Sequence, residues 1–278
     1  MHLGDGVITP MCAVYGAAAA TAGVGIAGWL VGSVPTPPAR RFVLATALVF
    51  AMQGLNLPAG AGVSGHLIGG VLLAHWFGGA WATIAMTIVL IVQSLLLADG
   101  GLGALGLNIT AMAIVPCLVV YPVISRFIRN PWARLAAASW LSVMAAAACC
   151  ASALASRPEA REVAGALWSQ MLAVHAAIGV LEAALALLIA AGARALQRPS
   201  QVGVAGAALL VLGWMGQSPW PDGLEFSLAR LGLDRIVEAP WFALSIENAL
   251  VAMVVGTLAV STALAATISL RQMGARHD

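Results

Sequence analysis

Apolar runs about as long as a bilayer is thick recur along this chain, and they leave it few ways to fold. Runs near 11–33, 79–98, 107–128, 133–155, 163–193 and 244–270 meet or approach the roughly 20 residues that a transmembrane helix needs. Shorter runs lie at 41–56, 66–77 and 202–216. In lipid, every backbone N–H and C=O must find a partner within the protein, and a helix provides those partners within the segment itself. Of 278 residues, 61% are hydrophobic and 9% charged, too few polar groups for a soluble domain of this size. The expectation is an all-α polytopic membrane protein with nine membrane elements. The element after His66 is the shortest, and it dips into the bilayer or tilts within the bundle.

The charges set an orientation. All thirteen basic residues are arginine, so a phosphate-binding loop ending in Gly-Lys-Ser/Thr is excluded, and with it an ATP site of that kind. Arginine-rich short loops stay in the cytoplasm. With Met1 outside, nine crossings put Arg40, Arg41, Arg126, Arg129, Arg134, Arg194, Arg198, Arg271 and Arg276 on the cytoplasmic side. Arg157, Arg161, Arg230 and Arg235 remain outside, near acids such as Glu159, Glu162, Asp234 and Glu238. The expected location is the cell membrane, with the N-terminus outside and the C-terminus cytoplasmic. A cleaved signal peptide needs a positive leader, yet Asp5 is the only charge before residue 40. Cys12, Cys117, Cys149 and Cys150 lie in apolar segments without metal-type spacing and read as packing residues.

The chemistry starts at the first two residues. An α-amine followed by histidine offers three nitrogens: the amine of Met1, the backbone nitrogen of His2 and its Nδ1. Fused chelate rings hold them near one plane, and a planar nitrogen set favours Ni2+ or Cu2+. Zinc prefers a tetrahedron, while calcium and magnesium prefer oxygen. The glycine-rich outer stretch 56–70 carries His66 on the same side as the N-terminus, where it is the natural fourth nitrogen. Asp5, Gln93, Asp99 and Asn108 are candidates to accept the remaining N–H of the ligating imidazoles, with helix or loop capping the competing role for Asp5 and Asp99. Glu182 lies in an apolar helix, where an ionised carboxylate costs roughly 2.5–3.5 kcal/mol on the lenient scale. His175 precedes it by seven residues on the same helical face, and the two read as a buried polar pair that fixes packing.

The motifs, taken in order, resemble a known family. They are Met1-His2-Leu3-Gly4-Asp5-Gly6 with Ile8-Thr9-Pro10, Gln53-Gly54-Leu55-Asn56 with Pro58, and Gly65-His66-Leu67-Ile68-Gly69-Gly70. Then come Gln93-Ser94-Leu95-Leu96 with Asp99-Gly100-Gly101-Leu102, Ala104-Leu105-Gly106 with Asn108, and Gly179-Val180-Leu181-Glu182-Ala183. This set is similar to the substrate-capture (S) subunits of energy-coupling-factor (ECF) nickel and cobalt importers, the CbiM/NikM family. The resemblance covers residues 1 to about 195. It implies a seven-helix S-component bundle whose N-terminal segment tucks into the outer face and whose metal is held by Met1, His2 and His66. One departure is Ala111, where relatives often have a second asparagine. Further on, Pro221-Asp222-Gly223-Leu224-Glu225 resembles the signature of the auxiliary (N) subunits of these importers, which are two-helix hairpins with an outer loop.

The expected organisation is a capture bundle over 1–196, a cytoplasmic linker at 197–200 and a two-helix transmembrane hairpin over 201–278. Its outer loop, 217–243, places Leu224, Leu228, Leu231 and Ile236 near one helical face. The resemblance implies a non-enzymatic subunit that captures Ni2+, with Co2+ the next choice, and delivers it with separate coupling (T) and ATPase (A) subunits. The metal is cargo, no organic cofactor or nucleic acid is expected, and the bilayer is the surrounding medium. The competing reading is a secondary, ion-coupled metal transporter using Glu182 and His175. A metalloenzyme would need an open coordination position and a general base, and no outer-face His-Glu motif is present.

Overall fold

A computed structural model describes residues 2–60, 62–195, 215–216, 218–236 and 246–274. The chain enters helix α1 (Pro10–Val31) through a cap that the sequence spells out. Thr9 Oγ1 accepts the Cys12 N–H at 3.2 Å, and Pro10 fills the first turn, where no N–H is needed. Next come α2 (Ala39–Gln53), a small antiparallel hairpin of β1 (Leu57–Gly60) and β2 (Val63–Gly65), and α3 (Gly70–Phe77). α4 (Gly79–Leu96) and the continuous helix α5 (Leu105–Phe127) follow, then α6 (Pro131–Ala155) and α7 (Ala164–Ala195). In the C-terminal part, the short α8 (Gly223–Arg230) precedes α9 (Ile246–Gly274).

Six of these are long and apolar enough to cross a membrane: α1, α4, α5, α6, α7 with the turn before it, and the stretch Met253–Gln272 of α9. The protein is a multi-pass membrane protein. Burial ranks the helices by position. In α4, 61% of the residues are buried, against 22% of the most apolar stretches of α1 and α9. α4 is therefore central, and α1 turns Val14, Tyr15, Ile26 and Trp29 outward, as a lipid-facing helix does. The expected second-to-last element, 202–216, lies almost wholly outside the described residues.

Small residues bring α1 onto α5. Gly16, Ala20, Gly23 and Ala27 form its buried stripe. A Cβ on Gly106 would sit 2.5 Å from the Cα of Ala17, and one on Gly16 would sit 2.8 Å from the Leu107 nitrogen, so the two backbones touch. Inside α5 the turns widen to a π-helix over Thr110–Val120, which contains Pro116. Proline has no N–H to give, and a local π or 3-10 adjustment is how a membrane helix accommodates it.

One feature departs from the sequence reading, and a second bears on its shortest element. The glycine-rich stretch ahead of α3 is not merely a loop, because Leu57 pairs with Gly65 and Pro58 with Ser64 in the β1–β2 ladder. α3, with eight residues, is about 12 Å long at 1.5 Å per residue and cannot cross the hydrocarbon core. It begins inside the bundle, so the chain just ahead of it, carrying His66, is recessed.

Candidate metal site

The N-terminal segment is clamped into one end of the bundle. Leu3 and Val7 are fully buried. The Asn108 side-chain amide pairs with both backbone groups of Leu3, at 3.0 Å each, and the Leu3 carbonyl also accepts the Gly101 N–H at 2.8 Å. Asp5 accepts the N–H groups of Leu102 and Gly103 at 3.2 and 2.8 Å, and the Arg157 guanidinium donates to the Gly6 carbonyl. Gly101 is required here, since a Cβ would lie 2.3 Å from the Asp5 nitrogen. Asn108 and Asp5 thus hold main chain, and neither is bonded to an imidazole.

This clamp delivers His2 to His66. The two rings stack with centroids 5.1 Å apart and planes 16° from parallel. His2 Nδ1 donates to Asp99 Oδ1 at 3.0 Å, while its Nε2 is buried without a partner among the described residues. His66 is buried, and its Nδ1 lies 3.3 Å from the Leu67 carbonyl, an acceptor that favours a proton on that nitrogen. Burial, together with the neighbouring His2 charge, lowers the His66 pKa from 6.5 to about 3, so the ring is neutral at physiological pH. For Asp99 burial acts upward, but the charge and hydrogen bond of His2 prevail and hold its carboxyl at about 2. The Met1 amine, assigned by the sequence to the chelate, lies outside the described residues.

Both imidazoles border a cavity of about 340 Å³ that is also lined by Gln53, Asn56, Asp99, Asp222 and Glu225. The segment 218–236 therefore reaches the end of the bundle where His2 and His66 meet, and its motif has a physical reading. Asp222 caps α8, accepting the Leu224 and Glu225 N–H groups at 2.8 and 2.9 Å, while Glu225 reaches back to the Asp222 N–H at 3.2 Å. This is a capping box, legible in principle from Asp222 and Glu225 three residues apart. Gly223 lets the loop lie against α7, since a Cβ there would be 2.6 Å from Ile178 Cδ1 and 2.9 Å from His175 Nε2. Leu224 and Leu228 are buried, with Leu231 and Ile236 packed beside them. Ser64 ties the loop to the hairpin, donating its N–H to the Pro221 carbonyl at 2.9 Å and its hydroxyl to the Trp220 carbonyl at 2.8 Å. Burial works against ionising Asp222, yet the Glu225 N–H and His66 lower its pKa.

Gln93 is buried with neither side-chain polar atom bonded among the described residues, and its backbone carbonyl accepts the N–H groups of Leu97 and Asp99 at 2.9 and 3.3 Å. The expected His175–Glu182 pair is not formed. His175 Nδ1 bonds the Met171 carbonyl at 2.7 Å, and Glu182 accepts the Ile68 and Gly69 N–H groups. Residues seven apart share a face but stand two turns apart, about 10 Å along the axis, so each side chain takes a nearer partner.

Comparisons with known proteins agree with this architecture. The family model described as the cobalt uptake substrate-specific transmembrane region (CbiM) matches residues 2–216. A putative metal transport protein of Haloquadratum walsbyi is 32% identical over 192 residues, 66% of this chain and 86% of that protein. A putative fused nickel transport protein NikMN of Archaeoglobus fulgidus is 41% identical over 109 residues, 38% of this chain and 36% of the relative. The cobalt transport protein CbiM of Propionibacterium freudenreichii is 40% identical over 124 residues, covering 44% and 53%. The matched segment thus spans about a third of the fused nickel relative and about half of the cobalt one. A crystal structure of a truncated transition metal transporter superposes with a TM-score of 0.60 at 26% identity, over 68% of this chain and 96% of that one. With the match to the family model running through the clamped N-terminus, the His66 turn and α1 to α7, the chain belongs to the CbiM family.

Proposed function

We propose that this chain is the capture subunit of a metal importer that binds Ni2+ ahead of Co2+ from outside and passes it to separate ECF coupling and ATPase subunits. The observation that carries the reading is the stacking of His2 on His66 at the end of the bundle where the N-terminal segment is clamped. In the proposed complex the Met1 amine, the His2 amide nitrogen, His2 Nδ1 and His66 form the nitrogen plane. His2 Nδ1 exchanges its Asp99 contact for the metal. A dication bound to one amide anion keeps a net charge of +1, and Asp99 and Asp222 supply the counter-charge beside it. The fused reading makes 201–278 the auxiliary component, with the 217–243 loop closing over the pocket; Asp222 and Glu225 on the cavity wall support it. Nitrogen affinity rises from cobalt through nickel to copper, so the nickel assignment leans on the Gly65-His66-Leu67 context.

The test is calorimetric Ni2+ binding by protein purified with its native terminus. One extra residue ahead of Met1, or His66→Ala, is expected to abolish tight binding without unfolding the bundle. Parent affinity in either variant would overturn the site. Uptake of Ni2+ in reconstituted vesicles should require the ATPase subunits; uptake that instead needs only a proton gradient would favour the ion-coupled reading.

A further inference from the structure

One face of α7 supports both flanks of His66. Glu182 Oε2 accepts the Ile68 N–H at 2.7 Å, and Oε1 accepts the Gly69 N–H at 3.0 Å. These consecutive N–H groups form a concavity of the kind that binds anions. It is shaped by Gly69, whose φ of 76° places it in the left-handed region where it caps α3. The Ile68 carbonyl is held from the other side by Gln53 Nε2 at 2.5 Å. One turn back along α7, Ile178 covers Gly65, where a Cβ would lie 2.8 Å from its Cγ2. Glu182 is 1% exposed and, among the described residues, makes no ion pair. A buried carboxylate in an apolar helix is costly, and a residue needed only for packing would be apolar. Here both of its oxygens are committed to the turn that begins two residues after His66.

We propose that Glu182 is a positioning residue for the metal site: its carboxylate fixes the Ile68–Gly69 turn and thereby sets the His66 imidazole against His2. This rests on the reading of His66 as a ligand. The geometry also explains why a long-range partner is used. The His66 segment lies between a hairpin and a short helix, and Gly65, Gly69 and Gly70 leave its backbone little intrinsic stiffness. Two charge-assisted hydrogen bonds from a membrane-spanning helix supply that stiffness. The same face of α7 carries His175 against Gly223, so the helix that holds the ligand turn also holds the outer loop.

The experiment compares Glu182→Gln, Glu182→Asp, His66→Ala and the Glu182→Gln/His66→Ala double variant, each with the native N-terminus. Ni2+ affinity, the visible absorption of bound Ni2+ and the melting temperature are recorded for each. Gln keeps one acceptor but turns an NH2 toward the other backbone N–H. It is expected to weaken binding about 10- to 100-fold, the usual effect of losing a group that orients a ligand, and to diminish the planar-nitrogen band. Asp keeps the charge and should fall between the parent and Gln. Because Glu182 acts through His66, the double variant should bind no more weakly than His66→Ala alone. Parent affinity and spectrum in folded Glu182→Gln would overturn the proposal, as would an additive loss in the double variant. Should Glu182→Gln not fold, Glu182→Asp decides: a parent-like spectrum and affinity there would overturn it, and a weakened planar band would support it. If His66→Ala binds Ni2+ like the parent, the ligand assignment itself falls, an outcome separable from failure at Glu182 alone.

Discussion

The two histidines meet in an environment that keeps one of them uncharged. The unfolded chain protonates His66 near its ordinary value of 6.5, whereas the folded protein does so near 3. Between those values the unfolded state holds more protons, so stability falls as pH drops through that window. Asp99 acts in the same sense at lower pH: its carboxyl, held at about 2 from an ordinary 3.8, contributes stability above 3.8 that is lost as pH falls through 2. The expected outcome is a melting temperature in detergent that declines below about pH 6.5, with a shallower decline in His66→Gln; equal slopes would show that His66 is not the group responsible. Asp99 also holds His2 Nδ1 in the metal-free protein and, in the proposed complex, supplies counter-charge beside the bound dication. Asp99→Asn, which keeps the shape but loses the charge, is expected to lower Ni2+ affinity by about 10- to 100-fold in a calorimetric titration.

At the scale of elements, the close approach of α1 to α5 is what brings the N-terminal segment to the bundle. Since Gly106 and Gly16 leave no room for a Cβ, Gly106→Val should separate the helices at a cost of about 1–3 kcal/mol or more, read as a lower melting temperature with loss of Ni2+ binding. Leu3→Ala removes a fully buried side chain and is expected to cost about 2–5 kcal/mol of local packing, visible as faster hydrogen exchange at residues 3–8. These elements differed in how far the sequence disclosed them. The run 133–155 became Pro131–Ala155, because twenty apolar residues behind an Asn-Pro start leave little choice, and Asn130 Oδ1 indeed accepts the Trp132 and Ala133 N–H groups. The β1–β2 hairpin was hidden, since Leu57-Pro58-Ala59-Gly60 shows no alternation and contains a proline. The π segment of α5 was hidden too: Pro116 signals a disturbance without saying which turn absorbs it.

Over the whole molecule, the chain alternates between two ends. His2, His66, Asp99 and Asp222 converge at one end. At the other, Arg271 donates to Thr36 Oγ1 and the Val34 carbonyl and lies 5.6 Å over Trp81, while Arg194 stacks 5.1 Å over Trp132. The loop that bears Asp222 is seated by Gly223 against His175 and Ile178, so Gly223→Val should lift it from α7 while the bundle stays folded. The expected signs are faster proteolysis between residues 218 and 236 and a reduced metal-loaded fraction; an unchanged loop would show that the α7 contact does not seat it. Hydropathy and motif order were enough to determine a multi-pass helical protein, its family and the residues worth suspecting, because a bilayer allows few backbone solutions and chelation needs particular atoms. Sequence spacing failed where partners are distant: it paired Glu182 with His175, seven residues away, whereas the carboxylate is bound to Ile68 and Gly69, more than a hundred residues earlier. Which side of a helix meets which turn depends on how all the helices pack at once, and no local pattern encodes that choice; the tertiary structure alone decided it.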